Sequence, residues 1–256
     1  MENLLKDKNI LVIGAGGLLG STLVTELLNQ KARVIAADIN LEVMSNRLKS
    51  MNVNTQNPNI RLLQCNIVDK ESVKNMLDNT LEIDGAVNTT YPRNNKYGSH
   101  FFDVSLESFN ENLSLHLGSS FLFTQQCAAY FLRNKKPFSL VNISSIYGVI
   151  APKFKIYENT SMTMPVEYAA IKSALLHLNK YVVSYINDSK FRINCVSPGG
   201  IFDSQPEEFL NAYKANTHGE GMLNVKEIIG SIMFLLSEQS QYVTGQNIIV
   251  DDGFSL

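Results

Sequence analysis

The sequence predicts an open, doubly wound parallel β-sheet of about seven strands with helices on both faces. Two observations carry that expectation. Short continuous apolar runs rich in β-branched residues alternate with longer amphipathic segments, as strands buried on both faces do when crossover helices join them. The first such run also passes straight into Gly14-Ala15-Gly16-Gly17-Leu18-Leu19-Gly20 and then into a helical pattern. A glycine turn at a first strand-to-helix junction is the context a dinucleotide-binding βαβ unit requires.

Strands are expected at 9–13, 33–37, 60–65, 84–88, 138–143, 191–196 and 247–250. Between them the 3.6-residue periodicity predicts helices at 18–30, 41–50, 70–79, 105–132, 166–186 and 225–236. The helix at 105–132 reads as one long unbroken element. An α+β fold of other topology requires several of these segments to be misread. Two segments escape the rhythm, 151–165 and 199–224, and both follow the carboxyl ends of strands, where ligands bind in open α/β sheets. They are expected to be an insertion and a mobile lid forming walls of a substrate site.

The chain has 256 residues, 45% of them hydrophobic and 18% charged, enough for one domain spanning 1–256 with a substantial core. The formal net charge of −2 gives a nucleic-acid role no electrostatic support. Cys65, Cys127 and Cys195 are odd in number, form no C-x-x-C pair and lie in apolar stretches. They read as small buried thiols, with neither a disulfide framework nor a metal site. Residues 1–8 lack the apolar run of a signal peptide, and no stretch reaches the length of a membrane span. A soluble cytoplasmic protein is expected.

In the glycine turn, Gly14 permits a tight bend and Gly16 and Gly17 let backbone N–H groups approach a pyrophosphate. Leu18 and Leu19 open the helix whose N-terminus favours the anion, and Gly20 allows it to pack on the sheet. Asp38 ends the second strand, 18 residues after Gly20. A carboxylate there accepts from ribose hydroxyls and repels a 2′-phosphate, so NAD(H) is expected rather than NADP(H). A helix-capping role for Asp38 is the alternative, although Asn40 can do the capping.

Tyr168 and Lys172 stand four residues apart in a helical pattern, which places phenol and ammonium on one face. A nearby ammonium stabilises phenolate and lowers the phenol's pKa, fitting it to exchange a proton with an alcohol oxygen. Such spacing occurs by chance in many helices, and its weight comes from company. Ser145 precedes it in Asn142-Ile143-Ser144-Ser145-Ile146-Tyr147-Gly148. Val196-Ser197-Pro198-Gly199-Gly200-Ile201 comes after it, and the chain closes on Tyr242-Val243-Thr244-Gly245-Gln246 and Val250-Asp251-Asp252-Gly253.

With these motifs in this order, the chain resembles a short-chain dehydrogenase/reductase over nearly its whole length, with a Rossmann-type single domain. The resemblance implies an oxidoreductase interconverting a secondary alcohol and a ketone. Ser145 would orient the substrate oxygen, Tyr168 would serve as general acid/base, and Lys172 would tune it and hold the nicotinamide ribose. It also implies cofactor contacts from Asn66, Ile67, Asn88, Pro198, Gly199 and Ile201, and a homodimer or homotetramer paired through two long helices.

Several positions depart from the family pattern. The glycine loop has Leu18 where glycine is commoner, a spacing that resembles sugar-nucleotide-modifying relatives. The segment after strand four reads Asn88-Thr89-Thr90-Tyr91, which puts Tyr91 beside the cofactor. His116 falls where the family has an asparagine in a proton relay, with Asn112 one turn earlier. Either His116 takes over the relay, since imidazole titrates near neutrality, or it is a buried structural histidine and Asn112 substitutes. Ser145 and Tyr168 are 23 residues apart, an unusually long gap. Arg93, Lys96, Lys153 and Lys155 are expected around one mouth, where they either receive an anionic substrate group or are solvated surface charge. Asp203-Ser204 stand where a lid threonine is common.

These features, with Ser144 to Phe154, Ser161 to Tyr168 and Asn247 to Leu256, resemble the flagellin-modification (PtmA-like) oxidoreductases of surface-sugar pathways. That implies a small-molecule sugar or sugar-phosphate substrate. A dehydratase or epimerase that recycles the hydride internally, and a non-catalytic dinucleotide-binding subunit, are the competing readings.

Overall fold

The computed structural model describes residues 3–80 and 82–256; residues 1 and 2 of the amino-terminal stretch lie outside the described residues. Seven strands form one parallel sheet in the order β3-β2-β1-β4-β5-β6-β7. They are β1 (Asn9–Ile13), β2 (Arg33–Asp38), β3 (Ile60–Gln64), β4 (Gly85–Asn88), β5 (Phe138–Ile143), β6 (Phe191–Pro198) and β7 (Asn247–Val250). The order reverses between β1 and β4, so a crevice opens above their carboxyl ends. Central strands β4 and β6 are buried at every residue, including the polar Asn88, Arg192, Asn194 and Ser197. Edge strands β3 and β7 are half exposed.

The helices are α1 (Leu18–Asn29), α2 (Leu41–Ser50), α3 (Lys70–Asp78), α4 (Leu106–Asn112), α5 (Ser119–Asn134), α6 (Val166–Ile186), α7 (Glu207–Lys214) and α8 (Lys226–Leu236). One apolar core lies on the α1/α2/α8 face and a second on the α3/α5 face. Asn40, Asp69 and Ser105 cap α2, α3 and α4 by accepting backbone N–H bonds, so the cap of α2 is Asn40 and not Asp38. All three cysteines are buried.

Two differences from the sequence expectation bear on the site. The helix expected over 105–132 is a composite: α4 and α5 are joined by a π-helical turn, Leu113–Gly118. Such a turn adds a residue to the helical repeat and rotates α5 relative to α4, and 3.6-residue periodicity does not reveal it. The segment 199–224 holds an unforeseen helix, α7. Its Phe209 and Tyr213 join Tyr147, Ile156, Tyr157 and Phe254 in a third apolar cluster above the sheet. The insertion is therefore folded: a 3₁₀ turn at Phe154–Tyr157 packs its buried Ile156 and Tyr157 into that cluster.

Candidate active site

The glycine turn is shaped by close backbone approach. Gly14 has φ +84°, a conformation other residues adopt only with strain. A Cβ on Gly20 would stand 2.2 Å from the Gly14 carbonyl oxygen, so only glycine lets α1 start this close to the loop. No side chain caps α1 and no acidic residue occupies its first turn. The N–H groups of Leu18, Leu19 and Gly20 thus remain available at the positive end of the helix. One oxygen of the Asp38 carboxylate accepts from Gly16 N–H at 2.8 Å and the other from Asn40 N–H at 3.2 Å. Asp38 therefore braces the loop and keeps spare lone pairs half exposed at its rim. These residues fit a dinucleotide: the N-terminus of α1 would hold its phosphates and Asp38 its adenosine ribose.

Beyond the third strand the fit is weaker. The Asn66 side-chain oxygen accepts from Val68 N–H, and the Ile67 side chain is buried in the second core. Asn88 is engaged internally too, accepting from the Thr90 N–H and hydroxyl and donating to Ser120. It straps the 89–91 turn in place.

A cavity of about 420 Å³ opens at the other end of the crevice. Leu18, Thr89 and Thr90 border it on the glycine-turn side, and Ser145, Tyr168 and Lys172 line its floor. Pro198, Gly199, Gly200 and Ile201 form a third wall, fixed by Gly199 N–H on the Val250 carbonyl and by Gly200 N–H on the Tyr213 hydroxyl. Tyr147, Met162, Met164, Phe209 and Met222 make its far side apolar.

Ser145 heads a 3₁₀ turn, its Oγ accepting from Tyr147 N–H. The turn is pressed onto α6, since a Cβ on Gly148 would meet the Lys172 carbonyl group at 2.6 Å. Gly148 is therefore a positioning residue for the site, legible in the sequence only as part of a motif. Ser144 adds a second tie, donating to the Lys172 carbonyl at 2.8 Å.

Lys172 is 4% exposed. Its ammonium donates to the Ile143 carbonyl at 2.7 Å and lies 3.4 Å from His116 Nε2. Burial pushes its pKa down to about 8. Desolvation also pushes Tyr168 above the ordinary phenol value, while the Ser145 hydroxyl pulls it back. The expected lowering of the phenol by Lys172 is therefore corrected. The ammonium is turned to a carbonyl and an imidazole, and burial acts more strongly on the phenol.

His116 is the member of the π-turn that faces Lys172. Burial first, then the charges of Lys172 and Arg93, hold its pKa down to about 2. The expectation of an imidazole titrating near neutrality is corrected as well: it stays neutral, because a cation cannot form in a dry pocket beside another cation. Asn112 does not replace it. Its amide is held by Asn94 and by Glu167 Oε1, both at 3.2 Å, away from Lys172.

The four cations expected around one mouth do not assemble. None lines the cavity; among the described residues its charged lining is Lys172 and Asp203. Lys153 donates to the Phe254 carbonyl at 2.7 Å and covers that ring, so it clamps the C-terminus. Lys96 and Lys155 are exposed, and Arg93 lies over the Tyr91 ring.

A parallel sheet that reverses at β1/β4, a glycine turn on its first helix and a Ser-Tyr-Lys group at the head of the crevice define a nucleotide-binding oxidoreductase architecture. A family model described as "Enoyl-(Acyl carrier protein) reductase" matches residues 16–255, and the chain belongs to the short-chain dehydrogenase/reductase family. It is 37% identical over 258 residues to "Post-translational flagellin modification protein A" of Campylobacter coli, covering 99% of this chain and 100% of that one. A short chain dehydrogenase from Leptospira borgpetersenii, solved with bound NAD+, superposes with a TM-score of 0.86 at 30% identity, covering 98% of this chain and 94% of the other. The 7alpha-hydroxysteroid dehydrogenase of Bacteroides fragilis is 23% identical over 99% of this chain and 96% of its own length. Among the described residues no helix is long and apolar enough to cross a membrane.

Proposed function

We propose that this chain is an NAD(H)-dependent oxidoreductase that interconverts a secondary alcohol and a ketone on a sugar derivative. The convergence of Ser145, Tyr168 and Lys172 on a cavity bordered by the glycine-turn residue Leu18 carries this reading. The NAD+ of the Leptospira relative and the brace between Asp38 and Gly16 support the choice of cofactor. The flagellin-modification relative supports a surface-sugar substrate.

When bound, the nicotinamide accepts or supplies the hydride. Ser145 donates a hydrogen bond to the substrate oxygen. In the oxidative direction that oxygen loses its proton to the Tyr168 oxygen as the carbon loses hydride, and in reduction Tyr168 returns the proton. Lys172 holds its charge beside the phenol and offers N–H groups to a ribose, while neutral His116 accepts from it and keeps its position. The apolar far wall keeps bulk water from the reacting oxygen.

The test is NADH fluorescence in the presence of neutral, phosphorylated and nucleotide-linked sugars, with wild type and Tyr168→Phe side by side. Turnover with at least one sugar, abolished in the variant while NADH binding persists, supports the reading. Near-normal activity in the variant refutes the role of Tyr168. Sugar conversion without net NADH points to an internally recycled hydride.

A further inference from the structure

Tyr91 touches more of the site than any family motif accounts for. Its ring meets His116 edge-on at 5.1 Å and Tyr168 at 5.7 Å between centroids, each nearly perpendicular. The Lys172 ammonium lies 5.8 Å from its centroid and the Arg93 guanidinium 4.7 Å. One ring thus contacts all three members of the Tyr168–Lys172–His116 group while another part of it lines the cavity. Its hydroxyl is paired with the Tyr97 hydroxyl at 2.6 Å.

A polar clamp holds the loop that carries it. Asn94 N–H donates to Asn112 Oδ1 and Asn94 Oδ1 accepts from Asn112 Nδ2, a reciprocal amide pair at 3.0 and 3.2 Å. Asn94 Nδ2 donates to Glu111 at 2.6 Å and Ser108 at 3.2 Å. Glu167, 1% exposed in the first turn of α6 and adjacent to Tyr168, accepts from Asn112. The clamp therefore joins the Tyr91 loop, α4 and the start of α6.

We propose that Tyr91 is a positioning residue: its ring roofs the Tyr168–Lys172–His116 group, keeps water from the ammonium and fixes the phenol, and the Asn94–Asn112–Glu167 clamp sets the height of that roof. The physical basis is direct. An aromatic face beside an ammonium is attractive, but at 5.8 Å from the centroid that attraction is near its limit, so the loss of hydration under apolar cover dominates and disfavours the charged form. Perpendicular rings restrict rotation of both partners. The Asn112 that adjoins the relay position has thereby become an anchor for the residue that roofs it. The titratable and charged groups facing Lys172 are His116 from the π-turn, Tyr168 on its own helix, Cys195 from β6, and Tyr91 with Arg93 from the loop. Of those borne by other elements, Tyr91 alone is both aromatic cover and part of the cavity wall.

The consequence for turnover rests on the oxidoreductase reading, but the test does not. In protein labelled with 13C at lysine Cε, the Lys172 signal is identified by its absence in Lys172→Met and titrated against pH. Tyr91→Ala is expected to move the Lys172 midpoint up by about one unit as water reaches the ammonium. Tyr91→Phe keeps the ring and is expected to titrate like wild type. Asn94→Ala, which loosens the clamp without altering α6, is expected to shift the midpoint in the same direction by a smaller amount. A folded Tyr91→Ala with an unshifted midpoint overturns the proposal. So does a Tyr91→Phe shift as large as that of Tyr91→Ala, because the hydroxyl pair would then carry the effect. If Tyr91→Ala does not fold, the Asn94→Ala titration decides by the same criterion. Absence of sugar turnover in the wild-type protein, with the Tyr91→Ala shift present, would count against the functional reading alone.

Discussion

His116 Nε2 stands 3.4 Å from the Lys172 ammonium, which donates at 2.7 Å to the Ile143 carbonyl. The imidazole is therefore an acceptor beside a cation, and its own pKa is held down to about 2 by burial, Lys172 and Arg93. His116→Gln retains an acceptor with the reach of Nε2, and the pH–rate profile is expected to keep its shape with kcat within about tenfold of wild type. His116→Leu removes the acceptor and is expected to lower kcat further. An ionisation near pH 6 to 7 that vanishes in His116→Gln would show that the imidazole titrates after all.

Lys172 stores a stability cost. Its pKa falls from 10.5 to about 8 on folding, so between these values the unfolded chain binds more protons than the folded one. Stability contributed by this site is lowest below pH 8 and rises towards pH 10.5. Lys172→Met removes a penalty of roughly 3 kcal/mol near neutrality and loses a hydrogen bond of about 1 kcal/mol. The variant is expected to melt higher than wild type at pH 7, with the gap closing as pH rises through 8 to 10. A lower Tm at pH 7 would contradict this balance.

Gly148→Ala places a methyl group 2.6 Å from the Lys172 carbonyl carbon and oxygen. Backbone on both sides leaves little room to yield, so a loss of about 1–3 kcal/mol is expected. The separation of Ser145 from α6 must also grow. Thermal melts and NADH titration distinguish the two effects, with turnover expected to fall more than cofactor affinity.

Asp38 accepts from Gly16 N–H and also borders the expected ribose site. Asp38→Ala is expected to weaken NADH binding about tenfold by removing a charge-assisted acceptor. It should narrow the preference for NADH over NADPH, because the repulsion of a 2′-phosphate goes with the carboxylate. Fluorescence titration with both cofactors measures the ratio, and an unchanged ratio would leave Asp38 only its loop-bracing role.

Phe254 is fully buried, stacked on Tyr213 at 4.4 Å between centroids. Asp252 accepts from Gly219 and Gly221 N–H, so the C-terminal tail latches the 199–224 segment. Phe254→Ala is expected to cost about 3–5 kcal/mol and to expose 199–224 to limited proteolysis at lower temperature than wild type.

The strand runs, the glycine turn, Asp38 and the Ser145–Tyr168–Lys172 order were legible because each is a local consequence of residue type: β-branched runs, missing Cβ atoms, a carboxylate at a strand end. The composite helix, α7 and the four scattered cations were not. A π-turn differs from an α-turn by one residue of register, which hydrophobic spacing does not resolve. Charges on separate loops carry no signal of whether those loops converge, and here Lys153 turned to the C-terminal carbonyl instead.

By itself the sequence determined the sheet, the glycine turn at its first helix and the helical spacing of Tyr168 and Lys172, because periodicity and steric exclusion act over a few residues. Only the tertiary structure decided the electrostatics around that pair. Burial, a property of the whole packed chain, makes His116 neutral, lowers Lys172 and raises Tyr168. The roof of Tyr91 over them depends on Asn94 reaching Asn112 across 18 residues and Asn112 reaching Glu167 across 55, separations no local pattern encodes.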